Sequence, residues 1–231
     1  TQKLLKLHIP LRYRYSHVCA QAPFGYADRL LDGEEYPMQQ WVDLTGVAEG
    51  DGQLLSGLAV LNDGKYSYSA TKGALDVTLA RSPYYANHEP FIVEEGMSYP
   101  VVDWGVQRFE LALLAHDGAF FDGGVEESAL LLGAPLTLLP EGAHGGSLPL
   151  EGGLLALQAD HVVVDAVKLA EDSDDELIVH LHEVARKAET ATLRFAQQEQ
   201  SIVMRAGQIK SLRVSLRDGT VTETDLIETR R

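Results

Sequence analysis

The sequence is poor in three features that would otherwise direct its interpretation. Its 231 residues include a single cysteine, so neither an internal disulfide nor a multi-cysteine metal site can form within the chain. No apolar run reaches the roughly 18–20 residues that a membrane-spanning helix needs. Basic side chains number 19 against 34 acidic ones, a formal net charge of −15. A surface this acidic repels nucleic-acid phosphates and anionic lipids, which argues against both as partners.

The residues that are present predict an all-β chain. Apolar and polar side chains alternate in Leu5–Ile9, Trp41–Leu44 and Leu75–Arg81, as in strands with one buried face. Further strands are predicted at 57–61, 108–114, 162–164, 177–182, 190–195, 209–214 and 221–224. Turn-forming Gly, Pro, Asn and Asp residues separate these segments, which favours antiparallel β-sandwiches.

A change in composition divides the chain into two units. Residues 140–153 are rich in Gly and Pro and show no clear periodicity. We therefore expect an antiparallel β-sandwich over 1–138, a linker over 139–149 and a smaller β-sandwich over 150–231. One short helical pattern, 125–132, precedes the linker and is ended by a glycine and a proline.

Two histidine patterns invite a chemical interpretation. His180 and His182 lie two residues apart on a predicted strand and so share a face, a spacing that can start a metal site. No third ligand lies nearby in the sequence, so we interpret them as residues of a solvated strand face. His116 precedes Asp117, but no serine or cysteine nucleophile motif accompanies the pair. A turn at the end of a strand is the favoured interpretation there.

Polar and aromatic residues concentrate around one turn. Asn62, Asp63, Lys65 and Tyr66 follow one predicted strand, and Arg81 ends the next. If those two strands form a hairpin, the end of the second returns beside the turn. Amide, carboxylate, ammonium, guanidinium and aromatic groups would then lie together, the mixture that sugar recognition uses. A solvated cluster of loop residues is an equally weighted alternative. No pair of carboxylates is singled out for glycoside hydrolysis.

Several blocks of sequence resemble one family. These blocks are Pro23–Tyr26, Asp32–Asp43, Leu61–Tyr66, Leu79–Pro83, Asp103–Phe109, Val162–Asp172 and Gly207–Val214. In this order they resemble the C-terminal β region of bacterial α-mannosidases of glycoside hydrolase family 38. The most specific blocks are Asn-Asp-x-Lys-Tyr at 62–66 and Arg-Ser-Pro at 81–83.

The resemblance implies that the catalytic groups lie in a part of the protein ahead of this chain. Members of the family carry a catalytic α/β domain and a three-helix bundle ahead of their β domains, and the nucleophile and the metal ligands lie in those earlier parts. Residues 1–138 would be the end of the large β-sandwich domain, and 150–231 the terminal small one. The family's chemistry is retaining hydrolysis with zinc or another divalent ion gripping sugar hydroxyls. No catalytic residue and no metal ligand is therefore assigned here, and no cofactor is expected in this chain.

The family also implies a set of substrate-binding candidates. In related mannosidases an arginine of the β domain reaches the rim of the active site, and Arg81 matches its location. Asn62, Asp63, Lys65 and Tyr66 join it as candidates by proximity. They would contact an α-mannoside or oligosaccharide.

Several expectations concern the whole protein. The first strand begins in midstream, so we expect this chain to be a piece of a longer protein. It would buttress the catalytic domain of the same enzyme and hydrolyse nothing by itself. We also expect a cytoplasmic protein and a homo-oligomer, with an associating face near Tyr13, Tyr15 and Phe24. The alternative is a lectin-like β-sandwich module that binds carbohydrate on its own.

Overall fold

The chain consists of two compact units, 1–136 and 137–231. A computed structural model describes residues 3–50, 54–82, 95–96, 105–147, 149–195 and 198–229. Those ranges contain sixteen strands and one helix of nine residues. Among the same residues, no helix is long and apolar enough to cross a bilayer.

The first unit is an antiparallel β-sandwich with one helix. Its strands are β1 (Leu4–Pro10), β2 (Tyr13–Ala22), β3 (Gly25–Arg29), β4 (Tyr36–Pro37), β5 (Trp41–Ala48), β6 (Leu55–Asn62), β7 (Ser67–Thr71), β8 (Ala74–Arg81) and β9 (Leu111–Asp117), followed by α1 (Val125–Gly133). Strands β1, β8, β7 and β4 form a four-stranded sheet, and β3, β2, β5, β6 and β9 form a five-stranded sheet. This architecture confirms the β-sandwich expected from the alternating pattern.

The two sheets of the first unit enclose its main core. The buried side chains are Val18, Ala20, Val42, Leu44 and Val60 from the five-stranded sheet, with Tyr68, Ala70, Leu75 and Val77 from the other. Val42 and Leu44 alternate along β5 and are fully buried, as period-two patterning requires of a core face.

Helix α1 covers the opposite face of the five-stranded sheet. Val125 and Ala129 of the helix pack with Trp41 in a second core. The indole Nε1 of Trp41 donates a hydrogen bond to Oε2 of Glu126 at 2.6 Å, and Nε2 of Gln21 donates to Oε1 of the same carboxylate at 2.6 Å. The first turn of the helix is therefore tied to the sheet by both oxygens of one side chain.

The second unit is a smaller sandwich. Its strands are β10 (Leu155–Gln158), β11 (Val162–Ala170), β12 (Ser173–Glu183), β13 (Glu189–Phe195), β14 (Gln198–Met204), β15 (Ile209–Ser215) and β16 (Val221–Thr224). Strands β10, β13 and β14 form one sheet, and β11, β12, β15 and β16 form the other. Leu181, Leu193 and Met204 are among the buried side chains of the core between them.

Truncation of a core leucine should destabilise the first unit strongly. Replacing Leu44 by Ala removes buried methyl groups and leaves a cavity, so we expect the free energy of unfolding to fall by about 2–5 kcal/mol. Leu30 is 70% exposed, and the change Leu30→Ala should cost no more than about 0.5 kcal/mol. Urea unfolding followed by tryptophan fluorescence measures both. Equal losses in the two variants would contradict this description of the core.

Candidate functional site

Asn62 organises the turn that the sequence singled out. It ends β6, and its side chain is buried. Its Nδ2 donates to the carbonyl of Gln39 at 2.9 Å, while its Oδ1 accepts hydrogen bonds from the backbone N–H groups of Gly64, at 3.1 Å, and Lys65, at 2.7 Å. Every polar atom of this amide is thus used within the protein, and the amide fixes the shape of the turn.

The other residues of the turn are more open. Asp63 is exposed, and its Oδ1 accepts a hydrogen bond from the backbone N–H of Glu110 at 2.8 Å. The ammonium of Lys65 lies 4.6 Å from the centre of the Phe109 ring, a cation–π contact. Tyr66 is 61% exposed. The turn therefore presents one carboxylate and one aromatic ring to solvent.

Arg81 lies at the same end of the four-stranded sheet as this turn. The strands that bring it there do not pair in the way that the sequence predicted. The sequence suggested a hairpin between the strands now labelled β6 and β8, but these belong to different sheets. An unpredicted strand, β7, leaves the turn, and β8 pairs with it and returns to end at Arg81, which is exposed. Residues 83–90, which continue the predicted polar cluster, lie outside the described residues.

A polar cluster that sequence reasoning missed lies beside the turn. Glu35 Oε2 accepts hydrogen bonds from the hydroxyls of Ser67, at 2.6 Å, and Thr78, at 3.0 Å. Its Oε1 forms a salt bridge with Lys6, whose ammonium also donates to Ser69 at 2.7 Å. Partial burial acts to raise the pKa of Glu35, but the hydrogen bonds from Lys6, Ser67 and Thr78 outweigh it and lower that pKa. No spacing in the sequence connects these residues, because they come from three strands and a loop.

A buried acid–histidine pair lies on the helix-covered face of the five-stranded sheet. Nε2 of His116 lies 2.8 Å from Oδ1 of Asp43, and both side chains are at most 2% exposed. The hydroxyl of Thr45 donates a hydrogen bond to Oδ2 of the same carboxylate. The partner of His116 is thus Asp43 on another strand rather than the adjacent Asp117. β9 ends at Asp117 and Gly118 follows with a φ of 72°, so the strand does end at this point of the sequence, with His116 as the second-last residue of the strand.

Two glycines make room for this pair. Gly57 lies between Thr45 and His116 in the register of the sheet, and a Cβ there would lie 2.5 Å from Nε2 of His116 and 2.7 Å from Oγ1 of Thr45. A Cβ on Gly123 would lie 2.5 Å from Cβ of His116 on the other side. The imidazole is closed in by backbone, so the pair serves the fold rather than a reaction with a dissolved substrate.

The histidines of the second unit are held by neighbouring side chains. Nδ1 of His180 lies 2.7 Å from the hydroxyl of Ser211, and Nδ1 of His182 lies 2.8 Å from Oδ2 of Asp165. His182 is buried, so the solvated face expected from the sequence is wrong at that position. In the part of the chain that the structure describes, no group of three or more His, Cys, Asp or Glu side chains could hold a metal ion.

Comparisons with known proteins agree at both ends of the chain. The family model of the glycosyl hydrolases family 38 C-terminal domain matches residues 1–89. A second model, the glycosyl hydrolases family 38 C-terminal beta sandwich domain, matches residues 161–231.

Among the relatives, alpha-mannosidase 2C1 of Homo sapiens is 29% identical over 191 residues, which are 78% of this chain and 16% of that protein. The Mus musculus protein of the same name is 28% identical over the same shares. A crystal structure of an alpha-mannosidase from Enterococcus faecalis V583 superposes with a TM-score of 0.68 and 16% sequence identity. That superposition covers 91% of this chain and 25% of that one, and it shows a shared fold. The chain thus spans about one sixth of the length of the relatives by sequence.

The Asp43–His116 pair should make stability depend on pH. Burial acts to lower the pKa of His116, but the hydrogen bond and charge of Asp43 outweigh it, so the pKa is raised. Because the pKa is higher in the folded state, protonation of His116 stabilises the fold. This contribution is complete at pH values below the ordinary histidine pKa, near 6.5, and it is lost as the pH rises through the folded-state pKa. In urea unfolding between about pH 5.5 and about pH 9, the difference between wild type and Asp43→Asn should therefore be largest at low pH, about 2–4 kcal/mol.

The control for this prediction is a surface pair of the same chemistry. Nδ1 of His8 lies 2.7 Å from Oδ1 of Asp76, and the histidine side chain is 63% exposed. Because solvent screens that pair, Asp76→Asn should change stability by less than about 1 kcal/mol at any pH. A pH-independent loss in Asp43→Asn would show that His116 does not titrate with its partner.

Proposed function

The chain belongs to glycoside hydrolase family 38 through its two C-terminal domains, and from this premise we propose that it forms the non-catalytic β region of an α-mannosidase. The observation that carries the proposal is the pair of family matches, 1–89 and 161–231, which occur in the order expected from the sequence. These matches confirm the resemblance to the C-terminal region of glycoside hydrolase family 38. Hydrolysis of α-mannosidic bonds would be the activity of the longer protein.

In this proposal the chain supports a catalytic domain of the same protein. Apolar side chains exposed in the segment after α1 support it: Leu136, Leu138 and Leu139 are 94%, 90% and 81% exposed. Exposed leucines close together in the sequence mark surface that gains free energy when a partner covers it. We also propose that the assembled enzyme is a homo-oligomer, and the exposed side chain of Phe24, at 44%, supports this.

The rim of the active site would receive residues from one end of the four-stranded sheet. Arg81, Asp63 and Tyr66 are exposed there and offer a guanidinium, a carboxylate and an aromatic ring to an α-mannoside or oligosaccharide. Lys65 would contribute its charge from beside Phe109. Asn62 would act indirectly, by holding the turn in shape.

Nucleophile, general acid and divalent ion would come from outside this chain. Zinc or another divalent ion would grip sugar hydroxyls in the catalytic domain, while the residues of this chain orient the distal part of the substrate. We propose a cytoplasmic location, which a chain with a single cysteine suits because reducing compartments disfavour disulfides.

The isolated chain should show no hydrolysis of an aryl α-mannoside, with or without added zinc. Glycoside hydrolysis needs two carboxyl groups that flank the scissile bond, and we propose that the catalytic domain supplies them. The measurement is release of the aryl alcohol by the purified 231-residue chain, with the full-length protein as positive control. Zinc-dependent turnover by the isolated chain would refute the proposal.

Arg81→Ala in the full-length enzyme should lower kcat/KM by about tenfold to a hundredfold, the loss of one charged contact to the substrate or its transition state. The melting temperature should change little, since the side chain is exposed and interactions of exposed charges contribute at most about 1 kcal/mol. Arg205→Ala, which removes an exposed arginine of the second unit, serves as the control and should leave the kinetics unchanged. Unaltered kinetics in Arg81→Ala would remove this residue from the rim.

A further inference from the structure

A cavity opens at the end of the four-stranded sheet that lies opposite to Arg81. It measures about 480 Å³ and is lined by Tyr13, Arg14, Tyr15, Ser16, Leu31 and Lys72. This volume falls within the range of small-molecule sites, about 300–1,000 Å³. Tyr13 and Leu31 also pack against the core between the two sheets, so the floor of the cavity is anchored in the fold.

Backbone hydrogen bonds bring the walls of this cavity together. Lys72 lies in the turn between β7 and β8, opposite in the sheet to the end that carries Arg81. The N–H of Leu11 donates to the carbonyl of Gly73 at 2.9 Å, and the N–H of Gly33 donates to the carbonyl of Ala70 at 3.0 Å. The segments before β2 and after β3 are thereby fixed beside the turn.

One wall is a β-bulge that turns Tyr15 outward. The pairing of β2 with β5 shifts between Arg14 and His17, and Tyr15 has a φ of 53°, in the left-handed region that bulky residues rarely adopt. Gly46 faces the bulge, and a Cβ there would lie 2.8 Å from Cβ of Tyr13. The sequence thus accommodates a strained tyrosine that is 90% exposed and gains little from folding.

The charge of this cavity is opposite to that of the chain. Arg14 and Lys72 are exposed, no carboxylate lines the cavity, and within the described ranges no salt bridge or hydrogen bond joins either cation to a carboxylate. The whole chain carries a net charge of −15. Among the described residues neither cation has an acidic partner, so both are available to a ligand.

We propose that this cavity binds an anionic sugar, a single sugar ring that carries a phosphate or a carboxylate group. The face of the ring would stack on Tyr15, and the hydroxyl groups of Ser16 and Tyr13 would bond to those of the sugar. Arg14 and Lys72 would hold the anionic group. The site uses none of the proposed rim residues, so it stands or falls separately from the proposed function.

Calorimetric titration of the 231-residue chain at low salt tests the site. Mannose 6-phosphate or glucuronate should bind with a Kd below about 1 mM. Methyl α-mannoside, which lacks the charge, and inorganic phosphate, which lacks the ring, should each bind at least about tenfold more weakly. Binding of phosphate as tight as that of the sugars would overturn the sugar assignment. Equal binding of the neutral sugar would overturn the role of the cations, and absence of saturable binding would overturn the site.

Two sets of variants test the cations and the aromatic ring separately. Arg14→Gln with Lys72→Gln should raise the Kd about tenfold or more, whereas Lys3→Gln with Arg205→Gln removes the same charge elsewhere and should leave it unchanged. Tyr15→Gly keeps a backbone that tolerates a positive φ and removes the ring, so it should weaken binding by about tenfold without lowering the melting temperature. Full affinity in either cavity variant would contradict the proposal.

Discussion

Burial of the five-stranded sheet on both faces is the constraint on which the first unit depends. Strand β5 is buried from Trp41 to Gly46, with the second sheet on one side and α1 on the other. A strand in that position can carry polar groups only if they are paired, because an unpaired buried group loses its hydration without compensation. Two polar groups of β5 meet this requirement: Asp43 pairs with His116, and the indole N–H of Trp41 pairs with Glu126. Each pairing joins β5 to a later part of the chain.

The same constraint fixes the candidate site. Strand β6 lies in the sheet that is covered on both faces, and it ends at Asn62. The side-chain hydrogen bonds of Asn62 shape the turn that leads into the four-stranded sheet. Asp63 and Tyr66 are therefore presented by a turn whose start is anchored in the core. Glu35 binds Lys6, Ser67 and Thr78, which lie on β1, β7 and β8. These contacts join three strands of the four-stranded sheet close to Arg81. A binding surface held in this way loses little conformational entropy when a ligand binds.

The sequence predicted what depends on local pattern and missed what depends on distant pairing. Alternation located β1, β5, β8 and most strands of the second unit, and glycine with proline ended α1 where expected. Strand β2 escaped because its bulge at Tyr15 breaks the alternation, and β7 escaped because Ser67–Thr71 is short. The pairing of His116 was missed for a different reason: its carboxylate partner, Asp43, lies 73 residues away in the sequence.

A net negative charge affects extended anions and small anions differently. An extended polyanion such as nucleic acid contacts many side chains at once, so it experiences the average charge of the surface, which is strongly negative here. A small anion contacts only a few residues, and at physiological ionic strength charges beyond about 8 Å are largely screened. The described residues that line the cavity beside Tyr15 include Arg14 and Lys72 and no carboxylate. The acidity that argues against a polyanion therefore does not argue against a small anionic ligand bound between two cations.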